Sequence, residues 1–262
     1  MSMKANTVLV TGASSGLGKE MAYQLATKHG AEVVLVARRE NQLQELQQAI
    51  AAAGGARAHV LPADLSVAAE VDKVIAYCQA IPSFDGAILN AGITHFGEHA
   101  DLEWDYFEKM VQVNIMSVVR MTNSLFEYFD QRQGQSRIMI VSSMASLFPV
   151  PYQSAYSGTK GFLTNFANAL SQEVRHGRLK IGAYCPGGIK TEMTAGEDFS
   201  TLSKFLEPVE KVAATGIRGF QKGKMTFVPG LLNNFTCFLG RLLPRDFMTR
   251  QTGKIYRKAL DK

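Results

Sequence analysis

Tyr156 and Lys160, in the run Ser154-Ala155-Tyr156-Ser157-Gly158-Thr159-Lys160, are the residues whose types and spacing most directly suggest chemistry. If the run opens a helix, the two side chains share a face, close enough for the ammonium to act on the phenol. A free tyrosine titrates near ~10, and a neighbouring positive charge favours the phenolate, so the expectation is that the lysine tunes and the tyrosine transfers the proton. Just upstream, Ser142 and Ser143 close an apolar run and offer two hydroxyls to the same place. Taken alone, the Tyr-x3-Lys spacing is weak evidence, because such pairs arise by chance.

A second chemical feature is the run Gly12-Ala13-Ser14-Ser15-Gly16-Leu17-Gly18, which follows an apolar stretch and leads into a helical pattern. Glycines at such a junction let the backbone approach a diphosphate, and the free amides of the following helix favour the anion. The spacing is Gly-x3-Gly-x-Gly rather than the commoner G-x-G-x-x-G. A third feature is Arg38-Arg39, directly after the apolar run 32–37. At this point of a dinucleotide site an acid selects NAD by accepting from the ribose 2′-hydroxyl, whereas an arginine selects NADP by pairing the 2′-phosphate. Position 37 is alanine, and two cations before a helix oppose its dipole, so helix formation does not account for them.

The elements that must position these groups alternate. Strand patterns at 7–11, 32–37, 57–61, 84–89, 137–141, 179–184 and 225–228 are separated by helical ones, at 40–53, from a Ser66 cap to about 80, from an Asp101 cap through 102–130, from Ser154 to about 175, and from Pro208 to Gly223. The predicted fold is α/β, a doubly wound, Rossmann-like parallel sheet of about seven strands with helices on both faces, and its ligands collect beyond the carboxyl ends of the strands. All of the features above fall at those ends. So do Asp64-Leu65, which a simple turn also explains, and Asn90-Ala91-Gly92, small enough to let a ligand lie against the strand end. Asn114, set among Val111, Val113, Ile115 and Val118, needs a polar partner.

Composition narrows the function classes. At 262 residues, one large core is expected, with residues 1–229 as the catalytic unit and 230–262 as an extension of it. There is no apolar run long enough to span a bilayer and no secretory leader pattern, so the expected location is cytoplasmic. Three scattered cysteines without ligand spacing argue against both a disulfide framework and a metal site. Residues 241–262 hold seven basic side chains against two acidic ones, so the tail carries the whole net charge of +5 and the remainder balances. A neutral body with a basic tail does not suit nucleic-acid binding.

In combination, Thr11-Gly12-x3-Gly16-x-Gly18, Asp64, Asn90-Ala91-Gly92, Asn114, Ser143, Tyr156-x3-Lys160 and Pro186-Gly187 resemble the short-chain dehydrogenase/reductase family over residues 5–229. The resemblance implies hydride transfer between a nicotinamide and a carbonyl carbon, with Tyr156 as proton donor and Ser143, rather than Ser142, bonded to the substrate oxygen. It further implies that Lys160 holds the nicotinamide ribose and assists Tyr156, and that Asn114 supports a water reaching Lys160. Gly12, Ser14, Ser15, Gly16, Leu17 and Gly18 would hold the diphosphate, Arg38 and Arg39 the 2′-phosphate of NADP, and Asp64 and Leu65 the adenine. Asn90, Ala91, Gly92, Pro186, Gly187, Ile189 and Thr191 would run along the rest of the cofactor, Thr191 facing the carboxamide. No metal is implied. Homodimers or homotetramers are common in the family.

The substrate wall expected from sequence is apolar: His95, Phe96, residues 147–151, Tyr152, and Met193, Phe199, Leu202 and Phe205 in a covering segment. It suits a lipid-like or aromatic ketone, such as a 3-oxoacyl or steroid-like compound. Beyond Gly230, Leu231, Leu232, Phe235, Phe238, Leu239, Leu242 and Leu243 follow helical spacing. They can pack on the body or on a second subunit, cover the substrate entrance, or lie on a membrane surface, and simple packing is the plainest expectation. The alternative function is a non-catalytic NADPH-binding regulator on the same fold, against which the intact Ser143, Tyr156 and Lys160 speak. A sugar-nucleotide epimerase or dehydratase would usually carry an added substrate domain.

Overall fold

The structure, a computed structural model, describes residues 6–191 and 206–260. Seven strands form one sheet: β1 (Thr7–Thr11), β2 (Glu32–Ala37), β3 (Ala58–Pro62), β4 (Phe84–Leu89), β5 (Ser136–Val141), β6 (Leu179–Tyr184) and β7 (Thr226–Phe227). Their order is β3-β2-β1-β4-β5-β6-β7, and every pair is parallel. The chain steps outward from β1 in one direction, then returns to lay β4 on its other side. That reversal opens a crevice beyond the carboxyl ends of β1 and β4.

The helices are α1 (Gly16–Lys28), α2 (Glu40–Ala52), α3 (Ala68–Gln79), α4 (Trp104–Val111), α5 (Ser117–Asp130), α6 (Ser154–Glu173), α7 (Val209–Gln221), α8 (Leu231–Leu242) and α9 (Arg245–Leu260). They cover both faces because strand side chains alternate. Val8, Val10, Val33 and Leu35 point to one side, where they meet Met21 and Leu25 of α1, Leu43 and Leu46 of α2, and Ile217 and Phe220 of α7. Leu9, Val34 and Val36 point to the other, against Val74 of α3, Met121 and Leu125 of α5, and Leu163 of α6. Replacing one of these fully buried leucines by alanine costs about 2–5 kcal/mol.

Two expected caps are not formed. The Ser66 hydroxyl donates to Asp64 Oδ1 at 2.7 Å instead of capping, and the helix starts two residues later at Ala68. Asp101 belongs to a short 3-10 turn, His99–Asp101, and α4 starts at Trp104. The expected helix over 102–130 is also not regular. A π turn, Gln112–Met116, joins α4 to α5 and carries Asn114 at its centre. Met193, Phe199, Leu202 and Phe205 lie outside the described residues.

Past Gly230, α8 and α9 fold back over the carboxyl-end side of the sheet. The Thr252 hydroxyl lies 3.4 Å from the Pro149 carbonyl, and the Tyr256 ring packs edge-on against Phe96 with centroids 5.7 Å apart. Asn233 Nδ2 donates to Glu207 Oε1 at 2.7 Å, while Glu207 is held to the β6 exit loop through Lys190 N to Glu207 O (3.1 Å) and Glu207 N to Gly188 O (3.0 Å).

Candidate active site

β1 ends at Thr11, whose hydroxyl accepts from the amides of Asn90 (2.9 Å) and Ala91 (3.0 Å), while Asn90 Nδ2 donates to the Thr11 carbonyl at 3.1 Å. These bonds pin the exit of β4 to the exit of β1. Gly12 then turns at φ +69°, a conformation that disfavours side chains. Gly18 is needed for space, since a Cβ there would stand 2.5 Å from Asn90 Nδ2 and closer still to the Gly12 carbonyl. α1 follows with Ser15 in extended geometry at its mouth, so its first amides face the crevice. The Arg39 guanidinium reaches back to this turn, Nη2 to Ser14 Oγ at 3.1 Å.

The chemical groups arrive from β5 and α6. Ser142 is buried, its hydroxyl donating to the Lys160 carbonyl at 2.9 Å and lying 2.7 Å from Thr164 Oγ1. Ser143, one residue on, points the other way, accepts from Ala145 N at 3.1 Å and hydrogen-bonds the Tyr156 phenol. Both serines border the cavity, but Ser142 commits its hydroxyl to α6 whereas Ser143 offers its own to the phenol. Tyr156 and Lys160 lie one turn apart on α6, with Lys160 Nζ 5.8 Å from the tyrosine ring centre. Asn114 is fully buried; Ile93 N donates to its Oδ1 at 2.9 Å, and its Nδ2 donates to Ile93 O (2.9 Å) and Thr159 Oγ1 (3.1 Å). A Cβ on Gly92 would lie 3.3 Å from both Asn114 Oδ1 and Lys160 Nζ, so the three groups adjoin.

The electrostatics depart from the expectation that Lys160 lowers Tyr156. Burial pushes the phenol up to about 12, with the Ser143 hydrogen bond pulling it down and nearby Tyr256 pushing it further up. Burial pushes Lys160 down to about 8, and its Nζ donates to the Val141 carbonyl at 2.9 Å rather than to the phenol. Desolvation wins here because both groups sit in the low-dielectric cleft between α6 and the sheet. The tyrosine is therefore held protonated at neutral pH, as a proton donor must be. Burial also pushes the Asp64 carboxyl up, but the Ser66 amide and hydroxyl, with Lys109 and Arg38, outweigh it and hold Asp64 below the usual range.

One cavity of about 580 Å³ gathers these residues. Gly12, Ser14, Ser15, Gly16, Leu17, Arg38, Arg39, Asp64, Leu65, Asn90, Ala91, Gly92, Ser143, Tyr156, Lys160, Pro186, Gly187, Ile189 and Thr191 all line it. Gly18 and Asn114 stand behind its wall. Of the expected substrate wall, Phe148 and Val150 are present, whereas His95, Phe96, Leu147, Pro149, Pro151 and Tyr152 do not line the cavity. The α8–α9 pair supplies Asn233, Thr236, Met248, Thr252 and Tyr256, none of them expected from sequence. Their signal was available in part: Met248, Thr252 and Tyr256 recur every four residues, marking one face of α9.

The sequence model of the short chain dehydrogenase family matches residues 6–199. The chain belongs to the short-chain dehydrogenase family. Among similar members, a hydroxysteroid 11-beta-dehydrogenase 1-like protein of Gallus gallus is 32% identical over 224 residues, 81% of this chain and 74% of its own. A short-chain dehydrogenase from Sphingobium yanoikuyae, solved with NADPH, shares the fold at TM-score 0.81 and 24% identity, over 90% of this chain and 93% of that one. A 3-ketoacyl-(acyl-carrier-protein) reductase from Brucella melitensis, solved with NADH, is 28% identical at TM-score 0.74, over 86% and 95%. As a short-chain dehydrogenase the chain is an oxidoreductase of a nucleotide-binding fold. Its glycine turn packs α1 close against the exit of β4, and Gly12, Gly16 and Leu17 border the cavity at the mouth of that helix, where free amides suit an anion.

Proposed function

We propose that this short-chain dehydrogenase is an NADP-dependent reductase of apolar ketones. The observation that carries the reading is the meeting of Ser143, Tyr156 and Lys160 in the same cavity as the glycine turn and the arginine pair. Gly12 to Gly18, with Asn90 to Gly92 and Pro186 to Thr191, would hold the dinucleotide, and Arg38 with Arg39 beside Ser14 would take the 2′-phosphate. A nicotinamide held there would supply hydride to the carbonyl carbon. Ser143 donates a hydrogen bond to the carbonyl oxygen and orients it. Tyr156 gives that oxygen its proton and leaves the alcohol. Lys160 stabilises the resulting phenolate and would hold the cofactor's ribose, and Asn114, bonded to the Ile93 backbone, keeps the wall beside Lys160 in place.

Met144, Phe148, Val150 and Met248 give the substrate end its apolar character, which favours a lipid-like or aromatic ketone, whether 3-oxoacyl or steroid-like. Relatives named for hydroxysteroids and 3-ketoacyl groups support the same class. Residues 1–229 act as the catalytic unit and 230–262 as its cover, in the cytoplasm. Exposed Met116, at the end of the π turn that leads into α5, and Phe162 of α6, stacked on Phe166 at 5.9 Å, favour pairing through this face into a homodimer or homotetramer. Steroid ketones, aromatic ketones and 3-oxoacyl thioesters assayed with NADPH and with NADH test the reading. Turnover of at least one class with NADPH preferred is expected, and a preference for NADH would overturn the cofactor assignment.

A further inference from the structure

α8 is built inside out. A helix on a protein in water normally turns its apolar stripe to the body. Among the described side chains of α8, those that face the body are Asn233, Thr236, Cys237 and Gly240: the first two line the cavity, Cys237 is buried, and Gly240 backs onto the Phe148 ring. The stripe on its outer side is Phe235, Leu239 and Leu242, at intervals of four and three; Phe235 is 59% exposed and Leu242 68%. Leu243 and Phe247, at the corner into α9, extend the same exposed apolar surface.

α9 continues it with charge. Met248, Thr252 and Tyr256 face the cavity, while Phe247, Arg250, Lys254 and Lys258 form the opposite stripe, with Arg257 beside them, all exposed. Between 231 and 260 the sequence holds one acid, Asp246, and it pairs with Arg250 at 3.3 Å. The surface is thus an apolar patch continuous with a band of cations.

We propose that this outer face of α8 and α9 is a docking surface for an anionic lipid bilayer. The apolar side chains enter the boundary between headgroups and acyl chains, and Arg250, Lys254, Arg257 and Lys258 meet the anionic headgroups. A second copy of the chain is the poorer occupant, because a two-fold contact would set this single-sign band against itself. The bilayer satisfies both halves of the surface. Since the inner face of the same two helices walls the substrate end, the enzyme would take an apolar substrate at the membrane where it is dissolved. The docking itself stands independently of the reductase reading.

Flotation of the full chain with vesicles of phosphatidylcholine, with and without phosphatidylserine, tests it. The wild type is expected to float with the serine-containing vesicles and to be released by salt. The exposed pair Phe235→Ser with Leu242→Ser, and separately Lys254→Glu with Lys258→Glu, should each reduce partitioning at least roughly tenfold, with circular dichroism and turnover of a water-soluble ketone unchanged. Equal flotation of wild type and both variants would overturn the proposal, as would binding indifferent to phosphatidylserine. So would sedimentation showing a wild-type dimer that Leu242→Ser converts to monomer.

Discussion

Ser142 and Ser143 carry opposite predictions although they are neighbours. Ser142→Ala removes a buried hydroxyl that bonds the Lys160 carbonyl and Thr164, so it should cost about 1–3 kcal/mol in denaturant unfolding. Ser143→Ala should leave stability nearly unchanged and lower kcat by about 10²–10³ in a ketone assay. Lys160 yields a pH test whose sign follows from burial. Its folded value of about 8 lies below the unfolded one, so between them the unfolded chain binds more protons and stability rises with pH. Lys160→Met, which keeps the apolar stem, should unfold at higher urea than wild type at neutral pH, and the gap should narrow as pH climbs past about 8. Arg38→Ala with Arg39→Ala should raise KM for NADPH roughly tenfold or more and leave KM for NADH unchanged, measured by initial rates. The sequence sufficed to bring the tyrosine and lysine to one helix face, because that is a matter of spacing. It could not supply the direction of the phenol's shift, since desolvation depends on what the rest of the chain lays around the pair.

At the scale of elements, the β1–α1 junction is the least forgiving part. Gly18→Ala drives a methyl into the Gly12 carbonyl and Asn90, so the strand exits must part. A loss of about 1–3 kcal/mol in thermal unfolding is expected, together with loss of dinucleotide binding followed by NADPH fluorescence. The strands were legible almost to the residue, for short apolar runs between turn residues leave little freedom. The π turn at Gln112–Met116 was not. The apolar period of α4 and α5 runs on as though one regular helix held them, and only the tertiary demand of Asn114 for the Ile93 backbone registers the extra residue. Ser66 misled for a related reason: its hydroxyl found a carboxylate two residues back, and a local side-chain bond displaced the cap.

Over the whole molecule, sheet order decides where the chemistry gathers. β1 and β4 lie side by side although the chain between them runs out through β2 and β3, and every strand delivers its exit to the same edge. Alternation of strand and helix implied this arrangement. The closing of the cavity by α8 and α9 was legible only halfway, because helical periodicity defines an apolar face without saying on which side of it the body lies. The account as a whole stands on Tyr156 as the group that hands a proton to the substrate oxygen. Its most direct test is the rate of NADPH oxidation with a reducible ketone in wild type and in Tyr156→Phe, with NADPH binding followed in parallel by fluorescence. A fall of about 10²–10⁴ with binding retained is the predicted result; undiminished turnover in the phenylalanine variant would contradict it.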